Sequence, residues 1–553
     1  MARAVGRIPF RIRIGVTGHR NLEGSAALAE IPARVRALVP DTSATPVRVG
    51  VVSALAEGAD RLVVDEVFHH AARHGEEARL EAVLPFERDR YVDLQEFSED
   101  AKAEFDRWLD RAASVTELGG AWEPQSRDRA YAAASQQVVA RCDVLVALWD
   151  GQPSGGPGGT AETLLFAAEI GKPCIWVPAY GDAETRDNLR PGEEQGFLED
   201  VRQRAAAQTV DTGQMEPDGG VLKTLEGAFA ELDEFNRARV PAVAELRERA
   251  ERELGIEPHD ETSDWIALPF ARAACLADRF QSRFMAATWL MAALATGAAA
   301  SLGASVTQEH PSKVWGWAEV AALFALATLF VAVHYAGLHS RWLSYRVLAE
   351  RFRSVFFIAP VGIDFRRTAG LETVFVERRS ADWLQRAFEE VWESRRTVPG
   401  RGPYSTTNYE ALRQRLADDW IGSQIAYHAK ACREHERRGL VLTWLVLVCF
   451  FGTLGFATLH ATTHTGEDFA VLFSITLPVA AAALGVVLTV RQHRALADRY
   501  RRMHADLVAV HRSLLQADAQ TLGKAAQEAA RLIAEENGDW LGAMWFLDVE
   551  HPP

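Results

Sequence analysis

The stretch Val144-Leu-Val-Ala-Leu-Trp-Asp150-Gly-Gln-Pro-Ser-Gly-Gly-Pro-Gly-Gly-Thr160-Ala-Glu-Thr163 decides the fold of the N-terminal half. Its first six residues are the most apolar short run of that half and read as a buried strand, while Ala161 to Ile170 carries a helical pattern. Between them lies a glycine-rich loop. Gly155, Gly156, Gly158 and Gly159 bring no Cβ, so the backbone can pass close to a ligand and deliver free N–H groups at a helix N-terminus, where an anion is favoured. Phosphate is the natural guest; a flexible surface turn is the alternative for such a loop taken alone.

Working outward, Ile12–Val16, Val47–Val52, Leu80–Phe86 and Lys172–Val177 also read as strands. Helical patterns separate them, at Ala26–Leu38, Ala59–Arg73, a segment through Trp108, and Arg129–Ala140. Strands alternating with helices predict right-handed βαβ units and an α/β Rossmann-like parallel sheet over residues 1–180. Ligands bind such sheets beyond the carboxyl ends of the strands. Three strand ends here carry glycine with small polar or charged groups: Thr17-Gly-His-Arg20, Ser53-Ala-Leu-Ala-Glu-Gly-Ala-Asp60 and the loop quoted above.

Gly15-Val-Thr-Gly-His-Arg20, Glu57-Gly-Ala-Asp-Arg61, Leu84-Pro-Phe86 and Gly158-Gly-Thr-Ala-Glu162 together resemble the SLOG superfamily over about residues 8–180. That Rossmann-like group includes DNA-processing proteins and the LOG phosphoribohydrolases. The resemblance implies a nucleotide-derived ligand, in some members a signalling derivative of NAD or a cyclic nucleotide. By position, Thr17, Gly18, His19 and Arg20 border it at the first loop, and Ser53, Glu57, Gly58, Ala59 and Asp60 at the second. Gly156, Gly158, Gly159, Thr160 and Glu162 border it at the third, with Gly158, Gly159 and Thr160 holding phosphate. Asp60 or Glu57 would accept ribose hydroxyls, although Asp60 is equally placed to cap the helix it begins. His19 is a candidate acid–base group or a phosphate-facing donor. LOG enzymes place a catalytic glutamate three residues after the threonine; here that position is Thr163, and Glu162 is turned from it by about 100° on a helix. Glu162 is therefore a weak catalytic candidate, and binding without turnover is the expectation.

Residues 1–265 hold 30 Lys and Arg against 48 Asp and Glu, and residues 266–553 hold 30 against 27. An acidic front half argues against a nucleic-acid surface. The five cysteines are scattered without a C-x-x-C pair, so no metal site and no disulfide framework is expected. The N-terminus lacks the apolar core of a signal peptide. Residues 181–268, charged and punctuated by Pro and Gly, read as a helical connector.

Four apolar runs, Phe284–Gly303, Ala318–Leu338, Leu440–Leu459 and Phe469–Val490, are each long enough to cross a hydrocarbon core of about 30 Å. Arginines cluster before the first, after the second, before the third and after the fourth, whereas the loops 304–314 and 460–468 contain only Lys313. By the positive-inside rule both hairpins return to the cytoplasm, with both termini there, in a multi-pass protein of the bacterial inner (plasma) membrane. The half repeats: Thr288-Trp-Leu290 matches Thr443-Trp-Leu445 at an offset of 155, and Asp382-Trp-Leu384 matches Asp539-Trp-Leu541 at 157. Two hairpins with cytosolic helical tails, over 269–398 and 399–553, resemble the SLATT group of two-span domains, which implies a membrane effector, by proposal a pore, in bacterial defence. Ionisable residues are absent from the span centres, which argues against a carrier or pump. Ala293, Gly297, Ser301 and Ser305 form a small-residue face.

The expectation is a cytosolic nucleotide sensor joined to an all-α membrane domain with four transmembrane helices, acting as an oligomeric ligand-gated effector in the lipid bilayer without a cofactor. A membrane-anchored LOG-like N-glycosidic hydrolase and a membrane scaffold are the alternatives.

Overall fold

A computed structural model of the chain describes residues 6–20, 22, 26–95, 99–119, 124–153, 158–180, 184–190, 192–205, 220–255, 263–307, 313–361, 382–395, 409–462 and 467–545. They divide into two units, Met1–Ala238 with Arg378–Ser394, and Arg239–Glu377 with Arg395–Pro553.

The first unit runs β1 (Phe10–Gly18), α1 (Ile31–Arg36), β2 (Val47–Ser53), α2 (Ala59–Arg73), β3 (Arg79–Leu84), α3 (Arg88–Gln95), α4 (Glu99–Arg111), β4 (Ser114–Glu117), α5 (Pro124–Arg141), β5 (Val144–Trp149), α6 (Thr160–Glu169), β6 (Cys174–Pro178), β7 (Arg186–Asp187), α7 (Glu194–Ala205) and α8 (Gly220–Arg237). The strands form one sheet in the order β4-β3-β2-β1-β5-β6-β7, parallel except at the β6–β7 edge. Every residue of β5 is buried, as expected of a strand covered on both faces. The strand order reverses between β1 and β5, where Gly18 lies opposite Leu148. That reversal is where ligands enter such sheets.

Residues 181–268, read as a connector, divide between the two units. β7 pairs with β6, and α7 buries Phe197, Leu198 and Val201 against Leu164 and Trp176. α8 sets Phe229 edge-on to Phe10 at 5.3 Å, and buried Asn236 binds both the N–H and the carbonyl of Ile8.

The second unit opens with α9 (Val243–Leu254), α10 (Asp264–Val306), α11 (Lys313–Ala336) and α12 (Leu338–Ile358). The chain then returns to the first unit as α13 (Asp382–Glu393). It re-enters the second with α14 (Tyr409–Gln414), a π-helical stretch (Arg415–Gly422), α15 (Ser423–Thr462), α16 (Glu467–Arg491), α17 (His493–Gln516) and α18 (Leu522–Trp545). This part is all helical, and four of its helices are long and apolar enough to cross a membrane. Their apolar side chains face outward, with Phe324 75 %, Trp317 70 % and Trp444 65 % exposed, which suits lipid rather than water. The span hydroxyls of Thr288, Thr328, Thr443, Thr453 and Ser474 each donate to the carbonyl four residues back, so none is left unsatisfied in hydrocarbon.

The small-residue face predicted on the first span is not where the helices meet within the chain. Ala293 and Gly297 are exposed, and a Cβ on Gly297 would touch nothing. Close approach occurs instead at Gly303, whose Cβ would lie 2.8 Å from Leu472 of α16.

The repeat is visible in the backbone. Gly337 and Gln492, 155 residues apart, both adopt the left-handed conformation at the joint between an apolar helix and the helix that follows it. The tails then diverge: α18 packs on α12 and α17, whereas α13 belongs with the sheet. α13 sets Glu390 (4 % exposed) against the amino ends of three strands. Its carboxylate accepts from Arg11 Nε at 2.8 Å, Arg11 Nη2 at 3.1 Å and Arg79 Nη1 at 3.1 Å, with Arg48 at 3.5 Å. Glu393 also binds Arg79, at 2.9 Å, and Glu389 binds Arg13 at 3.0 Å. Arg386 grips Asp143, just before β5. Burial disfavours the charge on Asp143, but Arg386 and Arg13 outweigh it and hold the carboxyl down at about 2.

Candidate functional site

The first two loops are interlocked by their glycines. A Cβ on Gly18 would stand 2.3 Å from the Ala59 Cβ and 2.9 Å from that of Leu148, so β1 can end against the start of α2 only as glycine. Gly58 has φ +89°, and a Cβ there would lie 2.0 Å from the Arg20 carbonyl oxygen. The Ala59 N–H donates to the His19 carbonyl at 3.0 Å, tying the first loop to the helix N-terminus. Thr17 is buried, His19 half-buried and Arg20 exposed.

Ser53 and Asp60 hold the second loop. The Ser53 hydroxyl accepts from the Leu55 N–H at 2.9 Å and donates to Asp60 Oδ2 at 2.8 Å. The same carboxylate oxygen lies 3.4 Å from the Ala56 N–H. Asp60 therefore braces the loop it follows rather than capping its helix, whose N-cap residue is Gly58. Burial pushes its carboxyl up to about 6, against the opposing effect of the Ser53 hydrogen bond. Leu55, inside this brace, takes φ +57°, a left-handed conformation a leucine rarely adopts. Glu57 is exposed.

In the third loop, Gly158 has φ +77° and sits on α5, where a Cβ would meet the Ala132 nitrogen at 2.7 Å. Its N–H donates to Glu162 Oε2 at 2.6 Å. Glu162 thus closes the turn onto the helix in the manner of a capping box. Thr163, at the position of the LOG glutamate, is buried with its hydroxyl on the Gly159 carbonyl at 3.0 Å. Gly159 and Thr160 are half-exposed at the start of α6; Gly156 lies outside the described residues.

At the strand-order reversal, His19 bridges the first and third strand ends. Its N–H donates to the Leu148 carbonyl at 3.2 Å, its ring Nε2 lies 3.1 Å from Asp150 Oδ1, and the ring stacks on Tyr180 at 6.2 Å. Asp150 and Tyr180 did not stand out as site residues in the sequence. Tyr180, 60 % exposed and just past β6, offers a flat apolar face beside the crevice. Tyr91 is fully buried beside Asp60 and Tyr131, and burial pushes its hydroxyl above the usual range. Backbone N–H groups, a histidine, an arginine and an exposed tyrosine suit binding of an anionic group with a planar ring. Among the described residues no cluster of His, Cys, Asp or Glu could hold a metal ion.

Residues 417–540, from the π-helical stretch through most of α18, match a family described as SMODS and SLOG-associating 2TM effector domain 1. The match covers the second hairpin and its tail and does not extend to the sheet unit. It is consistent with a membrane effector of a defence system. No curated protein and no solved structure matches the chain.

Proposed function

We propose that this chain is a nucleotide-gated membrane effector of bacterial defence, with a SLOG-like sheet as its sensor. Loops 17–20, 53–60 and 156–162 would grip a nucleotide or NAD-derived signal, phosphate toward Gly158–Thr160 and base against Tyr180. The four apolar helices would sit in the inner membrane with both chain termini cytoplasmic. One chain supplies too few spans to enclose a conduit, so a pore requires several copies.

One observation carries this reading. α13, the helix that links the first pair of spans to the second along the chain, is ion-paired to the amino ends of β1, β2 and β3, whose carboxyl ends carry the first two candidate loops. A ligand that shifts the sheet between two states by its differential affinity therefore acts on a helix tethered to spans on both sides. Glu162 supports binding over turnover, because its carboxylate is engaged by the Gly158 N–H. The test is purified full-length protein in liposomes, incubated with cyclic nucleotides and NAD derivatives, with dye release and nucleotide breakdown followed together. Leakage that depends on one nucleotide, without its breakdown, is expected; breakdown without leakage would replace the effector with a hydrolase.

A further inference from the structure

A cavity of about 420 Å³ lies within the second unit, where the basic ends of the apolar helices meet α12, α17 and α18. Its lining brings together six arginine and histidine side chains, Arg346, Arg438, Arg491, His428, His435 and His493, against two acids, with neutral polar groups between them. The two acids that reach it are already neutralised. Glu350 is bound by Arg346 at 2.7 Å and by Arg353 at 2.8 Å, and Glu536 by Arg499 at 2.9 Å. Arg438 pairs at 3.1 Å with Glu434, but both are substantially exposed, which makes that pair weak.

Three nitrogens along this lining are buried and lack a hydrogen-bond partner among the described residues: Arg491 Nε, His493 Nε2 and His428 Nδ1. His493 is 2 % exposed and His428 5 %, so water at the surface does not serve them. A buried polar nitrogen without a partner is costly, and an arginine N–H with two imidazole nitrogens, each able to donate in one tautomer, around one cavity marks a place built for an acceptor. His493 Nδ1 lies 3.0 Å from His435 Nδ1; with His435 donating, His493 carries its proton on Nε2 as a further donor. The Arg491 guanidinium is set over the Trp289 ring at 5.4 Å, which fixes its position at the end of α16.

We infer that this cavity binds a phosphate group of net negative charge, held by Arg491, His493 and His428 at the cytoplasmic mouth of the helices. Basic pockets between membrane helices on that side take anionic lipid headgroups, and a pocket of this size equally admits a free phosphate compound. The site is separate from the crevice of the sheet and does not depend on the nucleotide reading of it.

The test is calorimetric titration of the full chain in a neutral maltoside with three probes: dihexanoyl phosphatidylglycerol, dihexanoyl phosphatidylcholine and inorganic phosphate. Phosphatidylglycerol or phosphate should bind once per chain, at least tenfold more tightly than phosphatidylcholine. Arg491→Gln should weaken that binding tenfold or more, and Arg494→Gln, the same charge change at an exposed neighbour, by less than twofold. His493→Asn gives an independent loss should Arg491→Gln not yield folded protein. Binding of phosphatidylglycerol but not phosphate assigns a lipid site, and comparable binding of phosphate assigns a free anion. Equal binding of the two lipids, no binding of either anion, or equal losses in Arg491→Gln and Arg494→Gln would overturn the inference.

Discussion

Glu390→Gln isolates the link between sheet and spans. The substitution keeps shape and one acceptor but removes the charge that faces Arg11, Arg48 and Arg79. Arg79 retains Glu393, so the uncompensated cation is Arg11, whose remaining bonds go to the carbonyls of Val49 and Glu77 at 3.3 Å. Leaving such a buried charge unpaired costs about 3–5 kcal/mol. At the lower bound that is roughly a hundredfold in the docking equilibrium of α13. The assay is hydrogen exchange on the full chain. Amides of 382–393 should exchange roughly a hundredfold faster, while β5 stays protected. Glu389→Gln, which weakens the part-exposed pair with Arg13 and a bond from Gln385 within the helix, should change exchange by less than tenfold. Unchanged protection of α13 in Glu390→Gln would refute the argument that this cluster holds the helix.

Two further outcomes are expected. Asp60 has a folded-state pKa of about 6 against an ordinary 3.8, so the folded state holds its proton more tightly and stability falls as pH rises from about 4 to 6. Asp60→Asn should therefore match the parent near pH 4 and exceed it by ~1–3 kcal/mol at pH 7, read as Tm against pH; an unchanged pH slope would contradict this. Gln492→Gly should raise Tm in detergent, because a side chain in the left-handed region costs about 1–2 kcal/mol, whereas Gly337→Ala at the matching joint should lower it.

The parallel sheet was legible because β5 and β6 are continuous apolar runs, and because β1, β2 and β3, though they carry arginines at their amino ends, turn apolar toward their carboxyl ends. β4, Ser-Val-Thr-Glu, was not, since at the edge it alternates half-buried and exposed residues over four positions. The three loops could be placed at strand ends from their glycines, but the purpose of those glycines could not. Gly18 and Gly58 are required by one another's loops, Asp60 is engaged by the Ser53 hydroxyl, and Glu162 by the Gly158 N–H. His19–Asp150 joins residues 131 apart, which no local pattern signals. The destination of α13 was within reach. At the offset of the repeat, Arg386, Glu389 and Glu390 correspond to Ala543, Phe546 and Leu547 in the second copy, so only the first tail carries charges that match arginines at strand starts.

The placement of α13 also sets an order of events during synthesis. Arg11, Arg48 and Arg79 leave the ribosome early, yet the carboxylate that answers them is residue 390, made only after the first two apolar helices. Until then the amino end of the sheet carries arginines awaiting a counter-charge, so the N-terminal unit cannot finish folding before the first hairpin has emerged. A nascent chain that stalls before that point presents an incomplete sheet, and the sheet unit matures only once the first apolar helices have been made.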